Sequence, residues 1–268
     1  MELRELMKRI HLPEKAREIV KNFDLEEGEF QKWKLLFYED MRKFLEEWEK
    51  SDNHLQWALA FCLRLACEVY EEYRKEKITD EVFDATFYDI TIWCEECYRK
   101  YQCYGLEEVR WIALSIRMGL FRLGRLQFEP MILPEDLAGK TGVLKAGTHV
   151  LNVHIPAGEK MDYEACIESM KRAEEFFGGT FEAYVCDSWL LSPVLKELLP
   201  EASNIVRFQN MFEIVKVHHR FPQAEQRIFK EVLAEKEKYP EDTLLQRRAK
   251  EYILSGNDIG IGVGMKER

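Results

Sequence analysis

No stretch of the 268 residues approaches the roughly 20 consecutive apolar residues that a bilayer span requires. The opening MELRELMKRI has no uninterrupted apolar core of the kind a secretion signal carries, so a soluble, cytoplasmic protein without a membrane partner is expected. Positive charge is also short. With 49 acidic against 39 basic residues the formal net charge is −10, which argues against nucleic acid as a partner because attraction to a phosphate backbone needs a basic surface. Cysteine is sparse and odd in number. The seven thiols (62, 67, 94, 97, 103, 166 and 186) sit mostly at apolar positions of helical patterns, which suits buried reduced side chains rather than a disulfide framework. Cys94 and Cys97 form a single C-x-x-C, and with no second pair and no suitably spaced histidine no metal site is expected. Internal repeats and low-complexity segments are absent as well.

What is present divides into two halves with different patterning. From Glu2 to about Gly119 apolar residues recur at helical spacing. Phe30, Trp33, Phe37, Met41, Phe44, Leu45 and Trp48 line one face of what reads as a long amphipathic helix. Further helices are predicted over about 54–75, 79–102 and 106–119, with cap-type residues at Ser51, Asp52 and Asn53 and a break at Gly105. After Gly119 the pattern changes to alternation, predicting strands over 123–129, 149–155, 182–186 and 205–215, with a helix over 163–177, a short helix after Pro193 and a last one over 244–254. The fold class expected is α+β, a helical domain over 1–120 followed by a mixed-sheet domain over 121–268. Residues 149–186 read as strand, helix and parallel strand, a right-handed unit whose ligand would sit beyond the carboxyl ends of its strands.

Those ends carry the polar residues. Alternation sets Leu126 and Phe128 against Arg125, Gln127 and Glu129, and Leu151, Val153 and Ile155 against Asn152 and His154; read as a strand, 205–215 sets Val206 and Phe208 against Arg207 and Gln209. The polar side is either a solvated sheet face or a binding groove, and its Arg, Asn, Gln and His offer the directional hydrogen bonds a groove needs. His154 reads as a general base or as a hydrogen-bonded structural histidine. The stretch VCDSWLLSP (185–193) sets Cys186, Asp187 and Ser188 at a strand end, either as an acyl-accepting or proton-relaying group or as a packed corner. Ser203 and Asn204 either orient a substrate or form a turn. Gly260, Gly262 and Gly264 mark either close backbone approach or a loose terminus. His218 and His219 read as a loop pair.

The blocks RLQFE (125–129), VHIP (153–156), CDSWLL (186–191), LPEASNIVRFQ (199–209) and LQRR (245–248) resemble the GNAT-like C-terminal domain of bacterial two-domain acyltransferases. The helical half is similar to the N-terminal domain of that family. The resemblance implies acyl transfer from acyl-CoA or another thioester to an amine or hydroxyl of a small-molecule acceptor, with no tightly bound cofactor and acyl-CoA as co-substrate. In that reading His154, Asp187 and Ser188 are catalytic, and Arg125, Glu129, Asn152, Cys186, Asn204, Arg207 and Gln209 bind substrate or coenzyme. The helix over 163–177 would receive the pyrophosphate at its N-terminus. The preceding loop, IPAGEKMD (155–162), departs from the glycine-rich family pattern: Pro156 has no N–H, and Glu159 and Asp162 bring negative charge. That departure keeps a second reading open, a non-catalytic binding module on the same fold.

Overall fold

The computed structural model describes residues 1–140 and 142–268. They fall into two compact units, Met1–Leu123 and Gly124–Arg268. The first unit holds helices α1 (Leu3–Arg9), α2 (Glu14–Asn22), α3 (Glu27–Glu39), α4 (Met41–Trp48), α5 (His54–Lys75), α6 (Asp80–Tyr101) and α7 (Val109–Ile116), and ends in the short strand β1 (Phe121–Leu123). The expected long helix over 30–48 is two. Asp40 leaves the helical region (φ −144°, ψ 83°) and its carboxylate accepts from Lys43 N–H, so a side-chain cap interrupts a continuous apolar stripe. The stripe itself is buried: Phe30, Phe37 and Phe44 pack edge-on and stacked around Phe61. α6 begins where Thr79 accepts from Val82 N–H, with Asp80 and Glu81 at its positive end and Arg99 and Lys100 at its negative end. Cys94 and Cys97 lie inside this helix as core thiols, and burial pushes them up to about 12 and about 11. No helix among the described residues is long and apolar enough to cross a membrane.

The second unit is built on β2 (Leu126–Ile132), β5 (His149–His154), β6 (Ala183–Ser188), β7 (Glu213–His218) and β8 (Ile261–Glu267), in spatial order β2-β5-β6-β8-β7. A small pair, β3 (Leu137–Ala138) with β4 (Val143–Leu144), lies between β2 and β5 in the chain. β5 and β6 are parallel and joined through helix α8 (Tyr163–Phe177); the other pairs of the sheet described here are antiparallel. Short helices α9 (Leu195–Leu198), α10 (Asn204–Gln209) and α11 (Gln223–Phe229) and the longer α12 (Leu244–Leu254) complete it.

Three expectations change here. The strand expected over 123–129 starts at Leu126, because Gly124 takes φ +86° and Ser169 Oγ of α8 accepts from both Arg125 N–H (2.8 Å) and Leu126 N–H (3.2 Å). The strand expected over 205–215 is helix α10 followed by β7 from Glu213. Ser203 caps the helix by accepting from Val206 N–H, and the apolar positions 206 and 208 face the core in either conformation, so period alone misleads over six residues. Third, the glycine-rich end is the inner strand β8 rather than a loose terminus. Gly262 has Leu191 so close that a Cβ would fall 2.2 Å from its carbonyl oxygen, which is the close backbone approach that excludes any other residue.

The sheet has two distinct faces. Tyr184 of β6 donates its hydroxyl to Glu174 of α8 (2.8 Å), so Tyr184, Cys186 and Ser188 face the helix layer. On the other face Val150, Ala183, Val185 and Met265 pack under Leu133 and Leu137 of the β3–β4 excursion. The same face continues, beyond that cover, into Asn152, His154 and Asp187 by strand alternation.

Candidate functional site

β2 and β5 run antiparallel with Gln127 opposite His154 and Glu129 opposite Asn152, which brings four polar side chains onto one face. His154 Nε2 lies 2.9 Å and Asn152 Nδ2 3.1 Å from the same oxygen, Glu129 Oε2. Asn152 Nδ2 is also 3.1 Å from His154 Nε2. A carboxylate only accepts, so both nitrogens donate to it. His154 and Glu129 are each about three-quarters buried, with side-chain exposures of 24%. Hydrogen bonding to His154 holds the Glu129 carboxyl below its ordinary range against the opposing effect of burial.

The neighbouring ladder opens at this end. The parallel pairing of β5 with β6 runs from Val150–Ala183 to Asn152–Val185, yet β5 continues to His154 and β6 to Ser188. Past Asn152 the parallel register of the two strands ends, and continuing it by two residues would set His154 level with Asp187. Asp187 is half-exposed, and its carboxylate accepts from Nε2 of His218 on β7, 2.9 Å and 3.2 Å away, reaching past β8.

The loop between β5 and α8 is held from below. The Arg125 guanidinium donates to the carbonyls of Pro156 (3.1 Å), Glu159 (3.0 Å) and Lys160 (3.2 Å), so it shapes the loop. Gly158 supplies a φ of +91° within it. The start of α8 is capped by its own chain, with Asp162 accepting from Ala165 N–H at 2.9 Å. Asn204 donates to Met161 carbonyl (3.0 Å), and Arg207 lies on the Tyr163 ring (4.0 Å) while pairing with Glu164 (2.7 Å). Asn204 and Arg207 therefore sit beside the loop and the first turn of α8, not on the polar sheet face, because α10 replaced the expected strand.

Three further residues point elsewhere. Gln209 is fully buried and donates to the carbonyls of Leu190 (3.3 Å) and Ser192 (2.6 Å), bolting the turn after β6. Cys186 is buried on the helix side of β6, where burial pushes its thiol far up and away from the thiolate a nucleophile needs. Ser188 is on that side too, and its hydroxyl accepts from Leu190 N–H (3.2 Å) as the cap of a short 3₁₀ turn, Trp189–Leu191. The structure thus brings Glu129, Asn152, His154 and Asp187 to one end of one face, and gives Arg125, Cys186, Ser188 and Gln209 tasks within the fold. His218 was read as part of a loop pair; β7 had been displaced in register by the strand expected over 205–215, so nothing in the sequence pattern aimed it at Asp187.

A helical unit joined to a mixed sheet that parts beside a carboxylate–imidazole pair defines a GNAT-like transferase architecture in two domains. Residues 1–118 match the N-acyltransferase N-terminal domain and residues 120–266 the GNAT-like C-terminal domain, and the chain belongs to this family. Solved structures similar to it include an acyltransferase in complex with decanoyl-CoA and teicoplanin and one in complex with CoA and 10C-teicoplanin. Each has a TM-score of 0.80 at 21% identity, over 99% of this chain and 87% of the other. An acyltransferase in complex with decanoyl-CoA is similar at a TM-score of 0.79 and 20% identity, over 98% and 86%. At such identities the likeness is one of fold. No curated protein matches the chain at a significant level.

Proposed function

We propose that the protein transfers an acyl group from acyl-coenzyme A to an amine or hydroxyl of a small-molecule acceptor. The observation that carries this reading is the Glu129–His154 pair standing beside the point where the pairing of β5 with β6 ends. A pantetheine arm lying along the strand ends beyond that pairing would bind as an added strand does, with its thioester at the level of His154. His154, oriented by Glu129, is the base that takes the acceptor's proton while the nucleophile attacks the thioester carbonyl. Asn152 anchors the same carboxylate oxygen and so stiffens the pair.

The loop over 155–162 is the weak point for coenzyme binding. Asp162 already occupies one N–H of the first turn of α8 and adds a negative charge there, while the Arg125-held loop has Lys160 as its own cation. Similar solved structures hold decanoyl-CoA or CoA, which supports a long acyl donor here as well. The test is calorimetry with CoA and decanoyl-CoA, followed by mass-spectrometric search for acylated product in a panel of amines and alcohols. Binding with turnover is expected. Absence of heat at millimolar ligand overturns the reading, and binding without turnover across the panel favours a non-catalytic module on the same fold.

A further inference from the structure

His218 is a titratable side chain that the mechanism above does not use. Its side chain is only 10% exposed, and Nδ1 is buried without a hydrogen-bond partner. Nε2 faces both oxygens of Asp187, whose own side chain is 51% exposed. A carboxylate accepts and never donates when ionised, so Nε2 carries a proton. The ring therefore makes its one polar contact through Nε2, and that contact is to Asp187.

The consequence lies in what is left on Asp187. An arginine in the position of His218 would cover both carboxylate oxygens with several donors, whereas the imidazole offers one N–H, fixes the orientation of Asp187 and leaves its remaining lone pairs at a half-exposed surface. Lys216, on the same strand, is paired with Glu135 at 3.1 Å. Glu129, on the same face at this end of the sheet, is already occupied by two donors. Asp187 is therefore a held, half-exposed anion with acceptor capacity to spare, one strand over from His154. Such a group repels a phosphate, a carboxylate or a thiolate and takes a cationic donor.

We infer that His218 is a positioning residue that holds Asp187 as the docking group for the protonated amine of the acyl acceptor. The inference rests on the acyltransferase reading and narrows its acceptor to a cationic amine. The steps balance. The ammonium bound to Asp187 gives one proton to His154, and the neutral amine forms the N–C bond at the thioester carbonyl. The C–S bond then breaks, and the second nitrogen proton ends on the departing thiolate, leaving amide, thiol and one proton that His154 returns to solvent.

The experiment uses the full chain with decanoyl-CoA as donor and n-butylamine as probe amine, n-butanol serving as the uncharged control. His218→Leu and Asp187→Asn are expected to raise KM for n-butylamine at least tenfold while KM for decanoyl-CoA stays as in the parent. His218→Gln, whose terminal N–H can reach the same carboxylate, is expected to recover most of the loss, a rescue that a merely structural role would not give. Nitrogen-15 NMR of the imidazoles should report a proton on His218 Nε2 and a shift on adding n-butylamine but not n-butanol. Where His218→Leu fails to fold by circular dichroism, Asp187→Asn at its half-exposed site carries the test. Unchanged amine KM in folded variants overturns the inference, as does a parent protein that neither binds nor acylates n-butylamine. Amine binding that Asp187→Asn abolishes, with no acyl transfer in the parent, supports the docking role and overturns the transfer reading instead.

Discussion

His154 and Glu129 face each other across the β2–β5 ladder, with Nε2 and Oε2 2.9 Å apart and Asn152 donating to the same oxygen. The pair has the form of an imidazole oriented by a carboxylate, and both groups are buried enough for the orientation to persist.

Replacing His154 by Gln keeps bulk and hydrogen bonding but removes the titrating group. Acyl transfer should fall by roughly 100- to 10,000-fold, the contribution expected of a positioned base, with an unchanged circular-dichroism spectrum and unchanged decanoyl-CoA binding. Full turnover in the folded variant would remove His154 from the mechanism.

The same pair makes a prediction about acid. Because the folded-state value of Glu129 lies below its ordinary 4.5, the pair contributes stability that is complete above that value and is lost as pH falls through the lower folded value. Urea midpoints of the parent should therefore drop more between pH 6 and pH 3 than those of Glu129→Gln. Parallel curves for the two proteins would contradict the assignment.

Asp162→Asn tests the coenzyme site. Asparagine caps a helix about as well as aspartate, so stability should hold within a few tenths of a kcal/mol while a negative charge leaves the first turn of α8. The Kd for CoA, measured by calorimetry, is expected to fall several-fold. A weakened complex would mean that the pyrophosphate does not approach this helix end.

Gly262→Ala puts a methyl group 2.2 Å from the Leu191 carbonyl oxygen, a backbone atom that cannot swing aside. A loss of about 1–3 kcal/mol is expected from such overpacking, read as a lower urea midpoint. Val263→Ala, on the opposite face of the same strand, serves as the comparison.

Much of this architecture was legible in the residues. The helical half, the parallel unit over 149–186 and the last helix follow from period and caps, and His154 with Glu129 and Asn152 fell on one face by simple alternation. The segment from Ser203 to His218 did not. Val206 and Phe208 satisfy a core-facing pattern in a strand or in two turns of helix, and only the Ser203 cap decides between them. That error moved Arg207 and Gln209 onto the wrong surface and hid the register that aims His218 at Asp187. The glycines of β8 were ambiguous for a different reason. Their meaning lies in Leu191, more than seventy residues earlier in the chain, and long-range packing of this kind leaves no local mark.

β8 is the last strand in chain order, yet it lies between β6 and β7 and pairs with both. A nascent chain cannot finish this sheet vector by vector as it leaves the ribosome. Until residues 261–267 emerge, β6 and β7 hold open edges with an apolar slot between them, a surface that chaperones bind and other strands can invade. The helical unit, Met1–Leu123, is compact by itself and contains none of these strands. Removing residues 261–267 should therefore lower the yield of folded second unit far more than that of the first.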